Sequence, residues 1–346
     1  MVRGWSLVLA GMFAVFSPAP VRAATALWPF VRLHRTDYVS VRDVAERFGL
    51  KAAWKKPGHE MVLADTSGPR FSFEADERDF YFDDLRVFLG EPVLHHQDSL
   101  WISKLDVIKI VAPLFRPVDH LAQLPPGLPK VIVLDPGHGG IDQGTENRAT
   151  GLNEKTATLD VALRVRHLLE LQGWTVLMIR TDDRELSKDK RTDLQMRDEF
   201  AIAHHADLFL SIHFNSAPEA ITGIETYTMT PQNMLSSGDD TGDAMTNVAY
   251  PANRLDFANL LFGEKIHRAM RATLRTPDRG FKRGRLAVLR LLDCPGALAE
   301  CAYLSNDAEA RRVSTPEFRQ EIAEALARGV QDYAGMVAGL RAAPGG

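Results

Sequence analysis

Four branched apolar residues, Val131, Ile132, Val133 and Leu134, are stopped at once by Asp135, Pro136 and Gly137. A β-branched run cut off by turn residues predicts a central strand of a parallel sheet, buried on both faces. In open α/β sheets ligands bind beyond the carboxyl ends of the strands. His138, set between Gly137 and the pair Gly139-Gly140, follows this strand and occupies that position. Strand-like and helix-like runs then alternate. A polar loop extends through Gly151, and Glu154 opens an amphipathic helix carrying Leu159, Val161, Ala162, Val165, Leu168 and Leu169. Strands are predicted at 174–179, 208–212, 223–227, 286–289 and 297–304, and helices at 196–206, 257–274 and 318–340. The predicted fold class is α/β, a sheet with helices on both faces.

A smaller unit precedes it, at residues 30–118. Ser40 followed by Asp43 and Val44, and Ser103 followed by Asp106 and Val107, repeat one strand-to-helix device in which serine caps a helix. Val41, Val44, Ala45 and Phe48 share one helical face, and Gly49 is placed to end the helix. Short strand candidates lie between the two devices, which predicts a small α+β domain with its own core. This stretch resembles the copper amine oxidase N-terminal-like domain, an accessory unit of secreted bacterial proteins. Adjacent His95 and His96 read as a solvated loop, not a copper site. Pro125, Pro126, Gly127 and Pro129 mark residues 119–130 as a stiff linker.

The totals narrow the setting. With 25% charged residues, 45% hydrophobic residues and a net charge of −4, the chain carries no basic signature of nucleic-acid binding. Arg3, an apolar stretch from Trp5 to Phe16, and small residues before Ala23 read as a cleaved export segment at 1–23. No later stretch is apolar enough to span a membrane. The mature protein is therefore expected in the periplasm or outside the cell. Cys294 and Cys301, separated by a predicted strand, are expected to stay unpaired.

The chemistry gathers at strand ends. His138 follows one strand, His213 ends another, and Glu154 starts the helix after the His138 loop. Two imidazoles and a carboxylate leave tetrahedral zinc one open position, the pattern of a catalytic site. Glu146 lies in the same loop; Glu154 is preferred because Lys155 and the amphipathic helix follow it directly. Glu300 interrupts an apolar strand, where an ionised carboxylate is costly unless paired or functional. A proton carrier beside activated water would use it. His204, His205 and His267 read as structural or surface residues.

With these residues assembled, the second unit resembles the zinc-dependent N-acetylmuramoyl-L-alanine amidases of the amidase-3 group. The resemblance rests on the stretch from Leu134 to Gly140, Asn153-Glu154-Lys155, Ser211 to Asn215, Gly223 to Tyr227, Asp278 to Lys282, and Pro295 to Asn306. It spans about 131–340. It implies one Zn2+ ion held by His138, Glu154 and His213, and Glu300 as the catalytic glutamate. The implied substrate is peptidoglycan, cut between N-acetylmuramic acid and L-alanine, with room for an activator protein. Asn215, Lys282, Arg283 and Arg290 are candidate substrate contacts, Arg290 ending the strand predicted over 287–289. Residues 229–254, rich in Ser, Gly, Asp and Asn, are expected to form a mobile lid or rim. Two other readings stand beside this one: a zinc carboxypeptidase or deacetylase on the same polymer, and a non-catalytic wall-binding protein. A nucleotide-binding reading lacks the phosphate-cradling glycine pattern.

Overall fold

The computed structural model describes residues 28–239, 241–242 and 244–342; the export segment read at 1–23 lies outside them. The chain begins with β1 (Val31–Leu33), β2 (Thr36–Ser40), α1 (Val41–Phe48), β3 (Lys51–Lys56), β4 (Glu60–Asp65), β5 (Gly68–Glu74), β6 (Asp79–Phe82), β7 (Leu85–Phe88), β8 (Leu94–His96) and β9 (Ser99–Ser103). A helical stretch follows: α2 (Lys104–Asp106), a π-turn at Val107–Val111, α3 (Ala112–Phe115) and a 3-10 turn at Pro117–Gln123. Then come β10 (Val131–Pro136), β11 (Glu146–Asn147), β12 (Leu152–Asn153), α4 (Glu154–Glu170), β13 (Thr175–Met178), α5 (Lys190–Ala203), β14 (Leu208–Asn215) and β15 (Ile224–Met229). A 3-10 turn at Pro251–Leu255 leads into α6 (Asp256–Leu274), β16 (Asp278–Gly284), α7 (Ala287–Arg290), β17 (Gly296–Tyr303), α8 (Asp307–Val313) and α9 (Pro316–Ala342).

Both serine devices are built as the sequence predicts. Ser40 Oγ accepts the Arg42 N–H at 3.2 Å, and Ser103 Oγ accepts the Asp106 N–H at 3.0 Å. Gly49 closes α1 in the left-handed region, at φ 71°, where a side chain would be strained.

Among the described residues one sheet of eleven strands runs β13-β10-β14-β17-β15-β16-β7-β6-β5-β4-β3. β13, β10, β14 and β17 are parallel, and β15 runs antiparallel to β17. β16 is parallel to β15 and meets β7 at the pair Phe281–Val87. Strand alternation sorts the side chains. Ile132, Leu134, Leu210, Ile212, Ala299 and Cys301 face one core, which continues into the N-terminal unit through Val87, Phe71 and Phe73. Val133, Phe209 and Leu298 face the other, with Ala201 of α5 and Val288 and Leu289 of α7. Helices thus cover both faces, as expected of the fold class. Cys294 and Cys301 are free and buried in different cores, on opposite sides of the sheet.

Four local expectations change. His95 and His96, expected in a solvated loop, lie on strand β8, which pairs with β9. Residues 287–290 form the short helix α7, not a strand, because a four-residue apolar run carries either period. Helix α5 starts at Lys190, six residues before the predicted start, capped by Asp189, whose side chain accepts the Thr192 N–H. The 229–254 stretch is not placed as a lid. It leaves β15 beyond Met229, whereas the site lies at the other end of that strand, where Glu225 pairs with Glu300. Arg285 holds the stretch down, donating to the carbonyls of Pro231, Met234 and Thr246 at 3.3, 2.6 and 3.2 Å.

Candidate active site

The carboxyl ends of β10, β14 and β17 bring the expected residues together. His213 and Glu300 are register partners on adjacent strands, and Pro136 lies beside Ile212. The turn after Pro136 carries His138 at φ 62°, a left-handed conformation rare for a side-chain-bearing residue and concentrated at functional sites. Helix α4 begins at Glu154, after Asn153 has capped its first turn by accepting the Thr156 N–H. A carboxylate is favoured at a helix start. Glu154 Oε1 lies 3.1 Å from His138 Nε2 and 2.9 Å from His213 Nδ1, and the donor atoms of the three residues all fall within 4.8 Å of one another. Glu146, the other carboxylate of the loop, is exposed on β11.

Two glycines make the approach possible. A Cβ on Gly137 would stand 2.3 Å from His213 Cε1. One on Gly144, at φ +65°, would stand 2.6 Å from Glu154 Oε2 and 2.7 Å from His138 Cδ2. Backbone donors complete the carboxylate: Glu154 Oε2 accepts the Thr145 N–H at 2.9 Å and Oε1 the Phe214 N–H at 3.0 Å. Burial opposes ionisation of Glu154, but hydrogen bonds from both histidines overcome it and hold the group well below the usual carboxylate range.

The donor set fits a divalent metal. Two imidazoles and one carboxylate converge, and His138 Nδ1 lies 2.9 Å from Asp142 Oδ2, the outer carboxylate that commonly orients a metal-binding histidine. Burial raises the Asp142 pKa, but Lys190 and His138 outweigh it and bring the group down to about 2. Glu300 Oε2 is buried and finds no hydrogen-bond partner among the described residues. Burial first, then the charges of Glu154 and Glu225, push the Glu300 carboxyl well up. An orphaned oxygen beside three converging donors suits a group that exchanges a proton with a bound water.

Below the histidines lies an ion network that the sequence reading passed over. Arg197 donates to Asp135 Oδ1 at 2.7 Å, to Asp193 Oδ2 at 2.9 Å and to the His138 carbonyl at 3.1 Å, while Ser211 Oγ donates to Asp135 Oδ2 at 2.7 Å. Arg180 spends its donors on the carbonyls of Pro136, Gly137, Lys155 and Asp182. Both guanidiniums lock the turn that carries His138. Asp135 was as conspicuous in its apolar strand as Glu300 in its own.

The four candidate substrate contacts are placed differently from one another. Asn215 Nδ2 and Lys282 Nζ both donate to Glu225, at 3.0 and 2.6 Å. Glu225 also accepts from the hydroxyls of Tyr227 and Tyr303, each at 2.7 Å, and from Arg279 Nε at 3.3 Å. This buried carboxylate, the register partner of Glu300, organises the rim of the site. Arg283 follows Lys282 on β16, so its side chain takes the opposite face. There it is 3% exposed, stacked on Phe281, which takes it out of reach of the crevice. Arg290 ends α7, with its guanidinium 5.7 Å from the Tyr250 ring and on a separate cavity with Lys190 and Arg191. His267 is fully buried between Thr226 and Asp278.

The family model for N-acetylmuramoyl-L-alanine amidase matches residues 132–332. Among similar proteins, the N-acetylmuramoyl-L-alanine amidase AmiC of Neisseria meningitidis is 33% identical over 225 residues, 59% of this chain and 52% of its own. The germination-specific N-acetylmuramoyl-L-alanine amidase of Bacillus subtilis is 30% identical over 214 residues, 59% of this chain and 79% of its own. The solved catalytic domain of CwlV, an N-acetylmuramoyl-L-alanine amidase from Bacillus (Paenibacillus) polymyxa var. colistinus, aligns with TM-score 0.47 at 29% identity, over 59% of this chain and 97% of its own. The matches span 35%, 52% and 53% of the length of three of the curated relatives. The matched region begins at the strand before His138 and ends inside α9, and the chain belongs to the N-acetylmuramoyl-L-alanine amidase family.

Proposed function

We propose that this protein is an exported, zinc-dependent amidase that hydrolyses the bond between N-acetylmuramic acid and L-alanine in peptidoglycan, in wall remodelling or daughter-cell separation. One observation carries the reading: the donor atoms of His138, Glu154 and His213 converge within 4.8 Å, on strand and helix ends flanking Glu300. Family membership supplies the substrate class. Among the described residues no helix is long and apolar enough to cross a membrane.

His138, Glu154 and His213 would hold the ion. Bound there, zinc supplies Lewis acidity, making water a nucleophile near neutral pH and polarising a carbonyl. Glu300 takes the proton of the attacking water on its orphaned Oε2 and returns it to the leaving alanine nitrogen. Asp142 Oδ2, 2.9 Å from His138 Nδ1, is the carboxylate nearest that nitrogen for orienting the ring, and the Arg197 and Arg180 networks fix its backbone. Glu225 holds Asn215 and Lys282 at the rim, where they meet substrate.

A digest of purified peptidoglycan by the mature protein, read by mass spectrometry with and without a zinc chelator, tests this. Free stem peptides beginning with L-alanine, lost on chelation and restored by zinc, are expected. Release of a terminal amino acid or an acetyl group would instead assign a carboxypeptidase or deacetylase. Activity of the chain alone would show that no activator protein is needed.

A further inference from the structure

The face that carries the site does not end at β16. Register pairs place Glu300 beside Glu225, Tyr227 beside Lys282, Phe281 beside Val87, and Tyr81 beside Arg86. Paired residues share a face and successive ones alternate. Glu225, Tyr227, Lys282, Phe88, Arg86 and Tyr81 therefore line one surface, running from the metal crevice onto the N-terminal strands. On β14, β15 and β17 this face is covered by α5 and α7; on β6 and β7 it is open, and Tyr81 is 46% exposed.

We propose that this open ledge is the subsite for the stem peptide beyond the cleaved bond, a peptide rich in carboxylates; the proposal rests on the amidase reading. Charge supports it. The ledge's acids are sunk: Glu225 and Asp79 are 2% and 8% exposed. Their partners Arg279, Arg86 and Lys282 keep side-chain exposures of 37%, 34% and 15%. Lys282 and Arg86 sit 5.2 and 5.0 Å from the Phe88 ring, so the ring is engaged by cations, and the surface offered to a ligand is positive. Gly280 seats that ring, since a Cβ there would lie 2.7 Å from Phe88 Cε2. Length agrees as well. β7 is three strands from β17, roughly 14 Å at about 4.8 Å per strand. An extended stem of four or five residues covers about 13–18 Å.

The test compares two soluble substrates with the zinc-loaded full chain: N-acetylmuramic acid carrying a complete stem peptide, and the same sugar carrying L-alanine alone. For Arg86→Gln we expect KM for the first to rise roughly tenfold, the weight of one lost hydrogen bond to a charged group, with kcat within about twofold. The second substrate should be unaffected, and Arg86→Lys should recover part of the loss. Calorimetric binding of the free stem peptide, weakened by Arg86→Gln, gives a readout independent of cleavage. A wild-type chain that binds the peptide in this way but cleaves neither substrate would keep the ledge and end the amidase reading. Equal KM for both substrates in wild type and variant, with no peptide binding, would overturn the ledge.

Discussion

Glu300 and Asp198 show how one rule of burial yields two roles. Each is a carboxyl group raised by burial, and each has an oxygen without a partner among the described residues. Glu300 stands at the site, in register with His213. Glu300→Gln keeps shape and removes the proposed proton carrier, so on the proposed mechanism kcat should fall by roughly 10²–10⁴ while metal content and melting temperature stay at wild-type values. Loss of zinc along with activity would make Glu300 structural. Asp198 lies under α7, fully buried, with a 3.4 Å contact from the Leu291 N–H, and burial is the main cause that pushes it up to about 8. The unfolded group titrates near 3.9. Between these values the folded chain keeps a proton that the unfolded chain has lost, so stability falls as pH rises. Relative to Asp198→Asn, the wild-type chain should lose about 2–3 kcal/mol between pH 6 and 9, measurable by urea unfolding across that range. His138, His213 and Glu300 were legible because each is out of place in its local pattern. Lys282 and Arg283 were not separable in the sequence: only once β16 is known to be a strand do neighbours part to opposite faces.

At the scale of elements, the site depends on how tightly the loop after β10 wraps the start of α4. Gly144 is where the loop meets α4, at φ +65° with Glu154 and His138 both within 3 Å of the missing Cβ. Gly144→Ala should leave the circular dichroism of the sheet unchanged while zinc content and activity drop together. Retention of stoichiometric zinc would show that the loop yields without cost to the site. The strands before His138 and His213 were readable because their apolar runs are buried on both faces. β16 was not, since Asp278, Arg279, Lys282, Arg283 and two glycines look like a solvated loop. It becomes a strand because β15 and β7 flank it, Glu225 accepts from Arg279 and Lys282, and the Phe88 ring lies beside Lys282. The 229–254 stretch was not readable for the converse reason: its polarity gave no sign of where it lies, and its carbonyls at Pro231, Met234 and Thr246 are met by Arg285, a residue outside it.

For the whole molecule, the consequential contact is the seam between β7 and β16. Sequence reading separates residues 30–118 from 131–340 by a stiff linker, and that division remains a proposal. What no local pattern could foretell is that edge strands of the two would pair, because pairing partners some 190 residues apart leave no periodic trace. Phe281 and Val87 meet there, both 0% exposed, and the Phe281 ring packs against the space kept open by Gly263. One apolar core runs through both sides of the seam. Unfolding is therefore expected as one transition, with Trp54 and Trp101 on one side reporting the same midpoint as Trp174 on the other. Phe281→Ala, a buried aromatic lost with little room to collapse, should cost about 3–5 kcal/mol. At roughly 2 °C per kcal/mol for a chain of this size, the single transition should move down by about 6–10 °C. Two separated transitions in the wild-type chain would show that the units fold independently across a weak seam. The proposed ledge would then depend on a docking equilibrium between them, and KM for the complete stem would rise with temperature before the unit carrying His138 and Glu300 itself unfolds.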